Sequence, residues 1–151
     1  MATLIVGLNS LVGGTLFALC EREQDGQVIG TTRRTERAGT GSSSSSSIAS
    51  RVVFLDLNTV CTAADVDAWW SREAPAGLAP GGLRGVAICA AVARLGDCEK
   101  DPGGTRRVNV TSVGALAWFF GVRHGVPVVF CSSDKVREGK RTFQLNPRSG
   151  V

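Results

Sequence analysis

Two short stretches carry residue types that could do chemistry. Near the N-terminus, Gly7-Leu8-Asn9-Ser10-Leu11-Val12-Gly13-Gly14 follows an apolar run. A pyrophosphate needs backbone N–H groups at a helix N-terminus and room for close approach. Gly7 can make the sharp turn, and Gly13 can let a helix pack closely on a strand. The standard G-x-G-x-x-G is absent, because Asn9 stands where its second glycine would be. G-x-x-G-x-x-G fits the spacing better, with Ser10 at its middle position. Ser10 brings a Cβ that crowds a phosphate and a hydroxyl that can donate to it. Taken alone, the stretch is equally an ordinary glycine turn. Its place after a first strand and before a helix favours the dinucleotide reading. At the other end, Ser132-Ser133-Asp134 follows the apolar run VPVVFC. A hydroxyl there can bond a substrate carbonyl or alcohol, or it can cap a turn. No histidine or lysine is placed to make it a nucleophile, which argues against a hydrolase triad.

Three further positions bear on a ligand. Gly30-Thr31-Thr32-Arg33-Arg34 ends an apolar run. An acidic residue about 20 residues past the glycines holds the free ribose of NAD, and arginine accommodates a 2′-phosphate. From Gly30 onward the first acid is Glu36, so Arg33 and Arg34 favour NADP, with NAD as the alternative; a basic loop is the plain reading. Asp56 can accept from an adenine amino group or close a turn. Cys89-Ala90-Ala91 are small enough to let a cofactor lie across a strand end, and buried packing explains them almost as well.

The elements that must position these residues alternate in type. Leu4 to Val6 reads as a strand, Leu11 to about Glu23 as a helix with Leu11, Phe17 and Leu19 among its apolar positions, and Gln27 to Thr31 as a second strand. Thr32 to Ser50 contains GTGSSSSSS, and its residues from about 35 to 50 read as a flexible loop. Arg51 to Asp56 reads as a third strand, and Thr62 to Ser71 as a helix capped by Thr62. Glu73 to Arg84 reads as loop and Gly85 to Ala91 as a fourth strand. Arg106 to about Gly121 reads as a helix burying Val110, Val113, Ala117 and Phe120. Pro127 to Cys131 is the fifth strand. The pattern predicts one α/β domain over residues 1–151, a Rossmann-like open parallel sheet of about five strands with flanking helices. The candidate site residues fall at the carboxyl ends of these strands, where such sheets bind ligands.

Composition narrows the function classes. The chain has 151 residues and a formal charge of +4, too mild and too scattered for a nucleic-acid surface. The N-terminal apolar run lacks a basic leader and is broken by glycines and Asn9, so no membrane span or export signal is expected and a cytoplasmic location is. The five cysteines are an odd number without C-x-x-C, which argues for reduced thiols; Cys89 and Cys131 lie in apolar runs and are expected to be buried. With His124 as the single histidine, no zinc spacing is present, and no metal is expected. Trp69 and Trp70 fit core or surface equally.

Taken together, IVGLNSLVG, VFLDL, ICAAVARLGDCEKDPGGTRRVNV and VVFCSSDKVREG resemble the extended short-chain dehydrogenase/reductase family, in its branch of sugar-nucleotide reductases and epimerases typified by dTDP-4-dehydrorhamnose reductase. The resemblance covers nearly the whole chain. It implies an NAD(P)-binding Rossmann domain that moves hydride to or from a sugar carbon, with a nucleotide sugar as partner and homo-oligomers compatible with it. It implies Gly7, Asn9, Ser10, Leu11, Val12 and Gly13 on the phosphate turn, and Asp56 and Leu57 on the adenine side. Cys89, Ala90 and Ala91 would flank the cofactor, Asn109 would support the site, and Ser133 would polarise the reacting oxygen. The family's catalytic set also needs Tyr-x-x-x-Lys, and this sequence contains no tyrosine. That residue is expected within a few positions after Val151, so the domain reads as truncated and inactive or nearly so. The alternative is a non-catalytic NAD(P) sensor or scaffold.

Overall fold

The computed structural model describes residues 1–23, 27–33 and 51–131. Strands β1 (Ala2–Val6), β2 (Gln27–Thr32), β3 (Arg51–Phe54), β4 (Leu83–Ile88) and β5 (Val128–Phe130) form a single sheet in the order β3-β2-β1-β4-β5. All four pairings are parallel. This is the Rossmann-like sheet that the alternating sequence pattern predicts. Leu4, Ile5 and Val6 are almost wholly buried, as a central strand covered on both faces requires. Leu4 and Val6 point into the main core, so Ile5 between them faces the other side, where helix α1 (Leu11–Glu23) packs along β1 and β2. Gly13 is the one fully buried residue of α1; Leu11 and Leu19 are exposed.

The main core lies on the opposite face. Helix α2 (Ala63–Glu73) starts where its capping residue predicts: Thr62 accepts from the Asp65 N–H, and Asp65 accepts from the Thr62 N–H at 2.8 Å. Hydrogen bonds from the Thr62 side chain, then from the Thr62 and Cys61 amides, hold the Asp65 carboxyl below its ordinary range. A depressed folded-state pKa stabilises the fold above the ordinary carboxylate pKa; that contribution disappears as pH falls through the folded value. Trp69 and Trp70 are both core residues. Each indole N–H finds a backbone acceptor, Phe54 O at 2.8 Å and Leu78 O at 3.2 Å. Trp69, Trp70, Phe120 and Phe119 form a chain of edge-to-face rings with centroids 5.0–5.8 Å apart. Such pairs add to the area they bury.

A short helix, α3 (Leu95–Lys100), precedes a longer one, α4. In α4 the segments Pro102–Arg106, Arg107–Ser112, Val113–Ala117 and Trp118–Arg123 run on without a break, the second and fourth wound as π-helix. Ser112 is fully buried, and its hydroxyl reaches the Arg107 carbonyl five residues back at 2.9 Å and the Leu57 carbonyl at 2.5 Å.

Several boundaries and faces differ from the sequence expectation. α4 buries Val108, Ser112, Ala115, Leu116, Phe119 and Phe120, whereas Val110 is 59% exposed and Val113 and Ala117 are only partly covered. The Ser112 anchor to the Leu57 carbonyl, 55 residues away, and the wide π-turns set which side meets the sheet. β3 stops at Phe54 and β4 at Ile88, so Asp56 and Cys89 to Ala91 lie just past their strands. The expected 73–84 loop contains a 3-10 turn (Pro80–Gly82) and, at Leu83, the start of β4. Cys131, expected to be buried, is exposed because β5 is an edge strand of the described sheet. The expected flexible loop at about 35–50 lies outside the described residues. Among those described, no helix is long and apolar enough to cross a membrane.

Candidate functional site

The site begins where β1 ends. Gly7 has φ +100, a left-handed conformation that side chains disfavour. Its N–H donates to the Thr31 hydroxyl at 3.1 Å, and the Leu8 N–H donates to the Thr31 carbonyl at 2.9 Å. These bonds stitch the turn to the end of β2. A Cβ on Gly7 would stand 2.7 Å from the Ala90 Cβ and 2.8 Å from its backbone. Glycine is therefore required here by conformation and again by contact. Asn9, at the place of the missing second glycine, donates from its amide to the Thr32 hydroxyl at 3.1 Å.

Ser10 organises the helix entry. Its hydroxyl donates to the Gly7 carbonyl at 2.9 Å and accepts from the Gly13 N–H at 2.9 Å. The proton that could have gone to a phosphate is thus engaged within the turn. Gly13 presses against the same carbonyl: an added Cβ would run into Gly7 O and lie 2.8 Å from the Ser10 hydroxyl. Leu11 and Val12 are exposed and sit in the first turn of α1, where intrahelical bonding leaves amide donors over.

Above the sheet edge is a cleft of about 170 Å³ between the ends of β1, β2, β3 and β4. Gly7, Asn9, Ser10, Arg33, Leu57, Ala90 and Ala91 line it, so seven of the residues singled out from the sequence come together. Thr31, Thr32, Leu55, Val92 and Val108 line it too. Thr31 marks a strand end in the sequence, but its hydroxyl's role depends on a partner 24 residues away. Leu55, Val92 and Val108 carry no signal that separates them from core residues.

The remaining candidates take other positions. Asp56 accepts from both the backbone N–H and the side-chain amide of Asn58 at 3.0 Å, an Asx turn beside the cleft rather than in its lining. Cys89 is buried behind Ala90, and burial together with the adjacent Cys131 thiol pushes its pKa up to about 11. Arg34 and Ser133 lie outside the described residues. Among those described, no three His, Cys, Asp or Glu side chains gather as a metal site would require.

Asn109 has a clear structural task. Its carbonyl accepts from the Val92 N–H at 2.8 Å, and its amide donates to the Val92 carbonyl at 2.9 Å. This two-point clamp ties the wall of the cleft to the π-wound part of α4. Asn109→Ala is expected to lower unfolding free energy by about 1–3 kcal/mol, since it leaves the Val92 N–H without its acceptor and the Val92 carbonyl with only the Cys98 thiol. A urea transition unchanged in midpoint would rule the clamp out.

Similarity to solved structures is confined to the fold. A UDP-glucose 4-epimerase superposes with a TM-score of 0.59 at 17% identity, over 86% of this chain and 35% of that one. The enzyme of the same name from Stenotrophomonas maltophila, solved with NAD and formylated UDP-arabinopyranose, gives 0.60 at 19% identity, over 89% and 37%. Serine dehydrogenase from Escherichia coli gives 0.56 at 15% identity, over 86% and 60%. The chain thus spans 35–37% of the length of these epimerases. No protein-family model matches the sequence, and no curated protein is significantly similar to it.

Proposed function

We propose that the cleft binds a nicotinamide adenine dinucleotide and that the chain is the nucleotide-binding part of an oxidoreductase of the sugar-nucleotide reductase or epimerase type. The observation that carries this reading is the Gly7–Gly13 turn. Two glycines are each held open by backbone contacts, at the entry to a helix, between the neighbouring strands β1 and β4. That is the crevice where open parallel sheets take dinucleotides. A cleft of about 170 Å³ holds only part of such a ligand, so the rest would lie across the strand ends.

The residues fit the group in kind. The first-turn amides of α1, Leu11 and Val12 among them, suit a pyrophosphate. Ala90 and Ala91 leave room for the ligand to pass, and Leu57 gives an apolar wall. Asp56 is placed to serve an adenine only if its Asn58 bonds give way. The nicotinamide ring would supply hydride; this chain's own part is to bind and orient it. Ser133 is the residue proposed to polarise the reacting oxygen of a nucleotide sugar.

Arg33 at the mouth of the cleft favours NADP over NAD. Titration calorimetry should show saturable NADPH binding. Arg33→Asp should weaken NADPH roughly tenfold or more, as loss of a charge-assisted bond implies, and leave NADH little changed. Equal losses for both would assign Arg33 a positioning role only. No binding of either nucleotide by folded protein would overturn the proposal. A non-catalytic sensor or scaffold is the second reading. It predicts nucleotide binding without hydride transfer to any nucleotide sugar.

A further inference from the structure

Cys89 and Cys131 meet where β4 and β5 end. The register that pairs Ile88 with Phe130 brings the next residue of each strand side by side, and the Cys131 N–H extends the ladder by donating to the Ile88 carbonyl at 3.0 Å. Adjacent strands lie about 4.8 Å apart. That spacing is inside the range of Cα separations, about 4.4–6.8 Å, that a disulfide spans. The two sulfurs are 3.6 Å apart, so side-chain rotation has only to close them to about 2.05 Å. Cys89 is 8% exposed and Cys131 is open to solvent. Cys61 and Cys98 turn their sulfurs to the carbonyls of Asn58 and Val92 instead.

We propose that Cys89 and Cys131 are a reversible dithiol–disulfide pair, a site of oxidative modification beside the cleft. The oxidant is a hydroperoxide. The exposed Cys131 sulfur attacks the terminal oxygen, the O–O bond breaks, and an alcohol (water, for hydrogen peroxide) leaves with Cys131 as the sulfenic acid. The Cys89 sulfur then attacks the Cys131 sulfur. The S–O bond breaks, and the departing hydroxide takes the Cys89 proton and leaves as water. Overall two thiols lose two electrons and two protons, and the peroxide is reduced. The order follows from access: Cys131 meets the oxidant in solvent, and the buried Cys89 lies against the Cys131 sulfur. Ala90, which abuts Gly7, is the next residue after Cys89, so the bond would form at the cleft wall.

The test uses the full chain, reduced and then exposed to hydrogen peroxide, with free thiols alkylated before non-reducing peptide mapping. The expected product is one linked Cys89–Cys131 peptide, two hydrogens lighter than the sum of its parts and released by dithiothreitol. Cys20, Cys61 and Cys98 should remain alkylated. Cys131→Ser should abolish the link and leave Cys89 alkylated. Two outcomes would overturn the proposal: both cysteines still alkylated at doses that oxidise the others, or Cys131 over-oxidised to a sulfinic acid with Cys89 free. The mass readout does not depend on the nucleotide reading, since a chain that binds no nucleotide would still form the link.

Discussion

A Gly13→Val chain is expected to bind no NADPH and to unfold at lower urea than the parent. The new side chain would have to occupy the space of the Gly7 carbonyl and the Ser10 hydroxyl. Those are backbone and anchored atoms, so the strain cannot be relieved by swinging a flexible side chain aside. Overpacking of this kind costs about 1–3 kcal/mol. The larger consequence is geometric. The Ser10 hydroxyl joins Gly7 to Gly13, and displacing it opens the turn that presents the first amides of α1. Gly7→Ala should act similarly, adding backbone strain of about 1–3 kcal/mol to its contact with Ala90. Gly96→Ala is the control, because a Cβ there meets nothing within 4 Å. It should leave binding unchanged. Calorimetry with NADPH reads the affinity and circular dichroism the fold. A folded Gly13→Val protein with parental affinity would remove the turn from the functional argument.

Phe120→Ala should produce the largest loss of stability of any single substitution discussed. Phe120 is fully buried, and its ring meets Trp70 at 5.3 Å and Phe119 at 5.0 Å between centroids. Truncating a buried phenylalanine costs about 3–5 kcal/mol. A domain of this size has only about 5–15 kcal/mol in total. The variant should therefore lie near its unfolding transition at room temperature, and indole fluorescence should report a loosened Trp70. Phe120→Leu, which fills most of the space, should recover much of the difference. A Phe120→Ala protein with a parental thermal midpoint would show that the ring cluster does not hold α2 and α4 to the sheet. By comparison, Thr62→Ala removes one helix cap and should cost about 1 kcal/mol.

Much of the fold was legible because its signals are local. The apolar run before Gly7, the glycine spacing and the start of α1 belong to one contiguous stretch, and the Thr62 cap is decided by residues within three positions of it. Parallel order followed from strand and helix patterns in alternation. The faces of α4 were harder. Apolar residues surround it on every side: Val108, Val110, Leu116, Trp118, Phe119 and Val122. Periodicity in such a run does not choose a face. The choice was made by Ser112, a polar residue in the middle of that run, through its bond to Leu57 O 55 residues away. Asn109 is the same case: its type suggests a site residue, but only the packed structure reveals that both ends of its amide are spent on Val92.

What the sequence determined by itself is the chemistry of close approach: glycines where the backbone must turn and touch, small residues at the end of β4, and arginine rather than an acid at the end of β2. Those depend on covalent geometry, on side-chain size and on charge, which travel with the residue. What only tertiary structure decided is which atoms are spent and which remain free. The Gly7 N–H goes to the Thr31 hydroxyl, the Asn9 amide to the Thr32 hydroxyl, and Cys89 and Cys131 come to lie 3.6 Å apart. Hydrogen bonding and thiol pairing need a partner at a fixed distance, and that distance exists only once the strands lie side by side.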